Sequence, residues 1–503
     1  MTINRMLIAG LVPTFSLGAD ADAAPKTDTR PNIIFLMEDQ ARWDALGCIN
    51  PQMLTPTIAG LVRDGIRFGQ AVCQAPMSVA SRNSMMLGLY PNQIGILRNE
   101  PGLPDDKLPS VPIAEALRRS GYMTAGFGKT HWGLVTDTRG FEVRYEAECR
   151  ERGAVMMADT DPEKYKRYNE EVAGFGPGEE NNEGYIGMTS RLQENEHRDG
   201  WITEKCLDFL QNYTPDGRPL FLWLSFFKPH AGNNIPERFE KMYDPDTIRY
   251  ALQPPWDEEC SPHAEGINRR QMYESFWKAA TPQQWRLMTM RYYANCTWLD
   301  DMFGRVLSRL KDKGLLENAI IIFLSDHGEM LGERYYRFNK YCLYESSVRV
   351  PIVMAGSALP ESLRGKVDQR PAELTDIYPT LLEIAKIPVP SLLPGKSLLG
   401  KEQHEANFCG LHERKDEAAF MWRTDKYKLI LCFKRKPDAP AYTRDDIIGG
   451  EFYDLRADRQ EWNNLYGQPS CQKLQEEMTA SLLAKLSTLG RMSPGSVIPA
   501  MTR

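Results

Sequence analysis

The sequence predicts an α/β fold in which helices cover both faces of a mixed, largely parallel sheet. Three continuous apolar runs are each suited to a strand that is buried on both faces, at residues 32–37, 220–227 and 319–325. Stretches with helical spacing of apolar residues lie between or after them, at 111–120, 200–213, 284–311 and 375–385. Strands that alternate with helices indicate parallel pairing.

The chain has 503 residues, more than one compact domain usually contains. We predict a large domain over residues 30–390 and a smaller C-terminal α+β subdomain over 401–495. The connector at 388–400 is rich in Pro, Leu, Ser and Gly. Short strand-like runs at 418–422, 427–433 and 452–455, followed by a helical stretch at 471–489, indicate an antiparallel sheet with one helix.

Residues 1–24 have the pattern of a cleaved signal peptide. Arg5 precedes the apolar run 6–12, and small residues lead to Ala23 and Ala24. The alternative is a disordered N-terminal tail. The apolar run is too short to span a bilayer, which needs about 20 residues. We therefore expect a periplasmic or secreted protein without a membrane span.

The net charge and the cysteine spacing argue against two classes of protein, namely nucleic-acid-binding proteins and proteins with a structural zinc site. The net charge of −6 and the pI near 5.8 argue against a protein that binds the phosphate backbone of nucleic acids. The ten cysteines include no CxxC pair, which argues against a structural zinc site. Cys206, Cys296 and Cys432 lie in apolar runs and are predicted to be packed thiols.

Polar side chains follow each of the three apolar runs. Asp39 and Gln40 follow the first run, His230 follows the second, and Asp326 and His327 follow the third. The carboxyl ends of strands in open α/β sheets are where binding sites form. Oxygen donors held by strand ends suit a hard divalent cation such as Ca²⁺.

The motifs around residue 78 resemble those of one enzyme family. Residues 78–82, Ser-Val-Ala-Ser-Arg, precede a helical stretch and then Gly-Leu-Tyr-Pro at 88–91. This pattern is similar to that of formylglycine-dependent sulfatases, which belong to the alkaline-phosphatase-like superfamily. Further elements match the family in order: Gly-Lys-Thr-His-Trp-Gly at 128–133, Lys-Pro-His at 228–230, Ser-Asp-His-Gly at 325–328 and Tyr-Asp-Leu at 453–455.

The resemblance implies an alkaline-phosphatase-like fold and a sulfuric ester hydrolase. It implies that a radical-type maturase oxidises Ser78 to 3-oxoalanine, or formylglycine, whose hydrate attacks sulfur and later expels sulfate. It implies that five side chains bind one Ca²⁺ ion: Asp39, Gln40, Ser78, Asp326 and His327. It implies six catalytic side chains: Ser78, Arg82, Lys129, His131, His230 and Lys340.

The roles of the catalytic side chains also follow from the resemblance. Arg82 would orient the hydrate, and Lys129 would contact the diol and the sulfate. His131 would take the proton from the hydrate as sulfate leaves. His230 and Lys340 would contact the sulfate and protonate the leaving group.

Two positions depart from the commonest family pattern. Ser78 stands where many members have Cys, and serine-type members depend on the radical-type maturase. Gln40 stands where many members have Asp, and it can still offer a carbonyl oxygen to calcium. Glu38 is the alternative ligand if the register differs by one residue.

The substrate expected from the resemblance is a sulfated saccharide. Loops at 147–198 and 231–281 are the candidates for shaping its pocket, and His404 or His412 are hypothesised to bind it. Lys228 is predicted either to face the pocket or to cover the outside. The alternative functions are a phosphodiesterase or phosphonate monoester hydrolase of the same superfamily, and a binding protein that has lost turnover.

Overall fold

The computed structural model describes residues 28–133, 135–148, 150–174, 184–256, 279–412, 417–434 and 442–499. The predicted signal peptide lies outside these residues. The strands are β1 Asn32–Asp39, β2 Ile66–Val72, β3 Met123–Gly128, β4 Val135–Asp137, β5 Val143–Glu146, β6 Arg150–Arg152, β7 Val155–Met156, β8 Met188–Thr189, β9 Leu220–Pro229, β10 Asn234–Ile235, β11 Ala319–Ser325, β12 Ile352–Ala355, β13 Lys366–Glu373, β14 Asn407–Leu411, β15 Glu417–Arg423, β16 Tyr427–Lys434 and β17 Ile447–Asp454.

Helices cover both faces of the main sheet and one face of the C-terminal sheet. They are α1 Pro56–Asp64, α2 Ser78–Leu87, α3 Pro91–Ile94, α4 Ile113–Arg119, α5 Met157–Thr160, α6 Pro162–Ala173, α7 Arg198–Asn212, α8 Glu237–Glu240, α9 Pro282–Asp312, α10 Glu345–Val348, α11 Ile377–Ile384 and α12 Gln472–Ser487. A single left-handed turn, Glu333–Tyr336, follows β11.

The main sheet has nine strands in the order β13-β2-β12-β11-β1-β9-β3-β5-β7. All neighbours pair in parallel except those of β12, which runs against both β11 and β2. The predicted α/β class with a mixed, largely parallel sheet is confirmed. The single reversed strand was not predicted, because a short buried run has the same composition in either direction.

The strand β1 at the centre of the sheet contributes to two hydrophobic cores. Ile33 and Phe35 point into the core that contains α2, α4 and α11. Ile34 and Leu36 point into the core on the opposite face, which contains α7 and α9. Successive side chains of a strand alternate between faces, so a strand covered on both sides is apolar throughout. This explains the continuous apolar run.

The C-terminal sheet is antiparallel, with the order β14-β15-β16-β17. Met478 and Leu482 of α12 share a core with Phe420 and Leu431 of the sheet. The predicted C-terminal antiparallel sheet is therefore confirmed, and β14 is an additional strand that the sequence did not reveal.

Candidate active site

Four adjacent strands of the main sheet end beside one another and supply most of the candidate site. In the order β11-β1-β9-β3, these strands pair in parallel, so their carboxyl ends share one edge. Asp39 is the last residue of β1. The residues that follow the other three strands are Asp326, His230 and Lys129. The parallel register thus brings together residues that are far apart in sequence.

Ser78 is the first residue of α2 and is 1% exposed. Its Oγ lies 2.9 Å from Nε2 of His327. Nδ1 of His327 lies 3.0 Å from the carbonyl oxygen of Gly328, which only accepts, so Nδ1 carries the proton. Nε2 therefore presents its lone pair to Ser78. Burial lowers the pKa of His327 to about 4, so the imidazole is neutral at pH 7.

Asp39, Asp326 and His327 form a group, here called the metal-type group, that can hold a metal ion. One ligand atom from each lies within 4.8 Å of the others, and all three residues are buried. Oδ1 of Asp39 is buried and has no hydrogen-bond partner among the described residues. A buried carboxylate oxygen without a donor is costly unless a cation satisfies it.

Arg82 bridges the two carboxylates of this group. Its Nε lies 2.7 Å from Oδ2 of Asp326 and its Nη2 lies 3.3 Å from Oδ2 of Asp39, while Nη1 donates to Oγ of Ser225 at 2.9 Å. The guanidinium is completely buried. Burial alone would raise the pKa of Asp326, but the charge of Arg82, together with those of His327 and Lys129, outweighs it and the pKa is lowered.

Lys129 also binds Asp39, because β3 ends at a glycine next to β9. Its Nζ lies 2.6 Å from Oδ2 of Asp39 and 3.6 Å from Oε2 of Glu148. Gly128 has a φ of +85°, and a Cβ at this position would lie 2.0 Å from the carbonyl oxygen of Ser225. Only glycine allows β3 to end so close to β9 and to place Lys129 against Asp39.

His131 and His230 flank this ion-pair network as neutral bases. Burial, together with the charge of Lys129, lowers the pKa of His131 to about 4. Burial, together with the charge of Lys340, lowers the pKa of His230 to about 3. The charge of Asp39 acts on the pKa of both rings in the opposite direction.

Gln40 lies between Lys340 and Glu329. Lys340 Nζ donates to Gln40 Oε1 at 2.7 Å, and Gln40 Nε2 donates to Oε2 of Glu329. The backbone N–H of Gln40 donates to Oδ1 of Asp326 at 3.0 Å. Burial lowers the pKa of Lys340 to about 8, against the opposing charge of Asp39. The structure thus places Gln40 beside the metal-type group, with its side-chain oxygen directed at a lysine.

Other residues singled out in the sequence lie elsewhere. Glu38 is buried on the opposite face of β1, where burial and the charges of Asp300 and Asp199 raise its pKa. Lys228 does not cover the outside, because it is 3% exposed and its Nζ donates to Oδ1 of Asn234 at 2.9 Å.

The two histidines hypothesised to bind substrate make contacts with other side chains of the fold. His404 Nε2 lies 2.7 Å from Oδ1 of Asp376. His412 is 2% exposed, and its ring packs edge-on against Phe420 with ring centroids 5.3 Å apart. These contacts indicate structural positions for both residues.

Three residues around the site were missed by the sequence analysis. Ser225, which binds Arg82, is the single polar residue within the apolar run 220–227, and that contrast was a usable signal. Glu329, which binds Gln40, directly follows the Asp-His-Gly motif. Glu148, next to Lys129, carries no sequence signal of its own.

Comparisons with known proteins give matches over most of the chain. The sulfatase family matches residues 31–387. A second family, described as the C-terminal region of N-sulphoglucosamine sulphohydrolase, matches residues 332–488. An ulvan-active sulfatase of Formosa agariphila is 27% identical over 510 residues, covering 97% of this chain and 88% of that protein.

Two solved structures have a similar fold at 20% sequence identity. A phosphonate monoester hydrolase from Silicibacter pomeroyi has a TM-score of 0.72 and covers 91% of this chain and 95% of its own. A protein solved in complex with its substrate D-glucosamine-2-N,6-O-disulfate has a TM-score of 0.68 and covers 92% of this chain and 98% of its own.

Within the described ranges, no helix has the length and apolar character needed to cross a membrane. The family match extends over most of the chain, and within it two strand ends and the start of α2 bring Ser78, Asp39, Asp326 and His327 together. The chain therefore belongs to the sulfatase family and is a sulfuric ester hydrolase.

Proposed function

We propose that this enzyme removes sulfate from a sulfated carbohydrate, using a formylglycine formed at Ser78 and one bound calcium ion. The observation that carries the proposal is the position of Ser78, whose Oγ lies 2.9 Å from His327 within the group of Asp39, Asp326 and His327. A side chain that is to act as a nucleophile beside a metal must lie at this place.

Calcium suits the donor atoms of the proposed site. Four of the five proposed ligand positions offer oxygen, namely Asp39, Gln40, Ser78 and Asp326, and calcium prefers oxygen ligands. The partnerless Oδ1 of Asp39 supplies an independent reason for a cation. The ion would act as a Lewis acid that stabilises negative charge on oxygen atoms.

Formylglycine would supply a second hydroxyl through hydration, which an unmodified serine lacks. A maturase would form it by removing two hydrogens from the Ser78 hydroxymethyl group, with the electrons passing to an acceptor of that enzyme. The tight packing of Ser78 at the start of α2 fixes the position of this side chain relative to His327.

The remaining side chains suit the handling of a sulfate group. Arg82 and Lys129 hold Asp39 in place through contacts of 3.3 and 2.6 Å, and their charges offset those of the carboxylates. His131 is neutral at pH 7 and can accept a proton. His230 and Lys340 are the proposed sulfate contacts and proton donors to the leaving oxygen. His230 is neutral without substrate, and the negative charge of a bound sulfate ester would raise its pKa and favour its protonated form.

The proposed substrate class rests on relatives. One relative is named as ulvan-active, and one similar fold was solved with a disulfated glucosamine. The proposed export over residues 1–24 would place the enzyme in the periplasm or outside the cell, where sulfated glycans occur. The division into a catalytic domain over 30–390 and a C-terminal subdomain over 401–495 is likewise part of the proposal.

Two measurements test the proposal. Mass spectrometry of the Ser78 peptide from protein made with the maturase should show the loss of two hydrogens. The same protein should hydrolyse an aryl sulfate in calcium and stop when a chelator is added. The variant Ser78→Ala should have background activity, whereas Ser84→Ala, a serine buried in the same helix, should retain activity.

Parallel assays separate the rival function. An unmodified serine in active protein, together with faster turnover of an aryl phosphonate or phosphate diester than of the aryl sulfate, would contradict the proposal. That outcome would favour a phosphonate monoester hydrolase or phosphodiesterase instead.

A further inference from the structure

A cavity of about 810 Å³ lies between the main sheet and the C-terminal subdomain. Its wall contains residues of the segment after β1 and of strand β2. It also contains residues that precede β16 and residues that follow β17. None of the six proposed catalytic residues is among its lining residues. A cavity of this size is in the range of small-molecule sites.

The cavity shares a wall with the candidate active site. Arg42, which lines the cavity, donates from Nη1 to the backbone carbonyl of Glu329 at 2.9 Å. The carboxylate of Glu329 in turn binds Gln40. A ligand in the cavity would therefore lie one layer of residues away from the metal-type group.

The lining of this cavity carries more positive than negative charge. Four acidic residues line it: Asp44, Glu333, Glu345 and Asp425. Six arginines line it: Arg42, Arg67, Arg349, Arg423, Arg456 and Arg459. Several of these arginines form ion pairs within the wall, such as Arg42 with Glu333 at 2.6 Å and Arg423 with Glu345 at 2.7 Å.

Two arginines of the cavity wall, Arg67 and Arg459, remain available to bind a ligand. Within the described part of the chain, neither Arg67 nor Arg459 forms an ion pair. Arg459 is exposed and Arg67 is partly exposed, so both can reach a ligand. A guanidinium group binds oxyanions such as sulfate or carboxylate through two parallel hydrogen bonds.

Arg349 shows that the positive charge inside the wall is not fully compensated. Its guanidinium stacks 3.8 Å from the centre of the Trp43 ring, and Nη1 lies 3.3 Å from Glu345. Its Nε is buried without a hydrogen-bond partner among the described residues. Burial, with the charges of Arg423 and Arg67, lowers the pKa of Arg349 to about 10.

The cavity also offers aromatic surface. Trp43 and Trp462 line it, and both are partly exposed, although the Arg349 guanidinium covers one face of the Trp43 ring. A flat, amphipathic indole presents an apolar face with a polar edge, which suits the apolar face of a sugar ring. Arginines together with tryptophans therefore match a ligand that is both anionic and a carbohydrate.

We propose that this cavity binds a sulfated sugar residue at a second site, separate from the group around Ser78. This inference rests on the proposed function, because it assigns a further unit of the same class of sulfated saccharide to the cavity. The second site would increase the affinity for oligosaccharides without touching the sulfate that is cleaved.

The test compares two double variants of the full-length, calcium-loaded protein that carries Ser78→Ala. Arg67→Gln with Arg459→Gln removes the two available charges of the cavity. Arg305→Gln with Lys311→Gln removes two charges from exposed positions of α9 and serves as the control. Calorimetry measures binding of a heparin-derived tetrasaccharide and, in a separate arm, of sodium sulfate.

The cavity variant should bind the tetrasaccharide about five-fold more weakly than the control, since each exposed charge contact contributes a modest free energy. Equal affinities of the two variants would overturn the inference. Equal loss of affinity for sodium sulfate and for the tetrasaccharide would also overturn it, because the cavity would then be a simple anion site.

A second readout separates this inference from the proposed function. In matured enzyme with Ser78 intact, both double variants should hydrolyse a small aryl sulfate as fast as the parent. If the parent itself fails to hydrolyse the aryl sulfate, the proposed function fails, while the binding comparison still decides the second site.

Discussion

Glu329 fixes the orientation of the Gln40 amide. Oε2 of Glu329 accepts from Nε2 of Gln40, so Oε1 of Gln40 is turned towards Lys340. The other carboxylate oxygen of Glu329 is held by the backbone N–H groups of Leu331 and Asn339, at 2.8 and 2.6 Å. Glu329 cannot rotate without losing both of these bonds, so the side-chain oxygen of Gln40 stays directed at Lys340.

We expect Glu329→Gln to weaken calcium binding. The substituted amide can donate to Gln40 as well as accept, so the orientation of the Gln40 oxygen is no longer fixed. Loss of a residue that orients a metal ligand typically costs about 10-fold in metal affinity or more. Calcium titration by calorimetry measures the effect, with the exposed variant Glu361→Gln as the control. An unchanged calcium affinity would exclude Gln40 as an oriented ligand.

Arg82 should stabilise the folded protein more in the absence of calcium than in its presence. The variant Arg82→Gln leaves Asp39 and Asp326 buried without their shared cation. Breaking a buried pair in this way costs about 3–5 kcal/mol of the free energy of unfolding. Calcium at the same carboxylates would offset part of that loss. Urea unfolding with chelator and with calcium measures both values, and an equal loss in the two conditions would argue against a cation at Asp39.

Gly128 and Gly60 form a matched pair of glycine substitutions. Gly128→Ala should lower the free energy of unfolding by about 1–3 kcal/mol, since φ is +85° and the new Cβ would meet Ser225. Activity should fall with it, because Lys129 is displaced from Asp39. Gly60→Ala in α1, where a Cβ meets no atom within 4 Å, should instead stabilise the protein by about 0.5–1 kcal/mol. Thermal unfolding and aryl sulfate turnover check both variants.

Similar turnover in Gly128→Ala and the parent would show that the end of β3 tolerates displacement. The proposed role of Lys129 would then lose its geometric support.

His404 should make the stability of the fold depend on pH. Burial lowers the pKa of His404, but the charges of Glu373 and Asp376 outweigh it and raise the pKa from 6.5 to about 9. A raised pKa means that the folded state binds the proton more tightly than the unfolded state. The stabilisation is fully present below pH 6.5 and is lost as the pH rises through about 9.

We therefore expect the parent to lose roughly 3 kcal/mol of unfolding free energy relative to His404→Asn between pH 6 and pH 10. Urea unfolding across this range measures the difference. The same slope in parent and variant would show that His404 is not protonated in the folded protein.

The sequence predicted the central strands well because burial on both faces leaves a continuous apolar run. The helix α9 was predicted at 284–311 and occupies Pro282–Asp312, since its amphipathic pattern extends over many turns. The direction of β12 and the existence of β14 were not predictable in this way. Both are short, and their pairing depends on neighbours that are distant in sequence.

The sequence predicted that Asp39, Asp326 and His327, at two strand ends, lie close together, but it did not predict the contacts around them. Lys228 illustrates the limit, because a lysine after a buried strand can cover the surface or be buried with a polar partner. Glu148 illustrates a second limit, because it lies beside Lys129 only when the segment after β5 folds back. Both outcomes are decided by tertiary packing.

The burial of α2 constrains when Ser78 can be oxidised. Every residue of this helix is buried, and Ser78 is 1% exposed. A second enzyme cannot draw this side chain into its own active site while α2 is packed on the sheet. The proposed oxidation must therefore occur on an extended chain, before the sheet closes over it. In a cell without the maturase, the protein would fold with an unmodified Ser78, and maturase added after folding could not oxidise it.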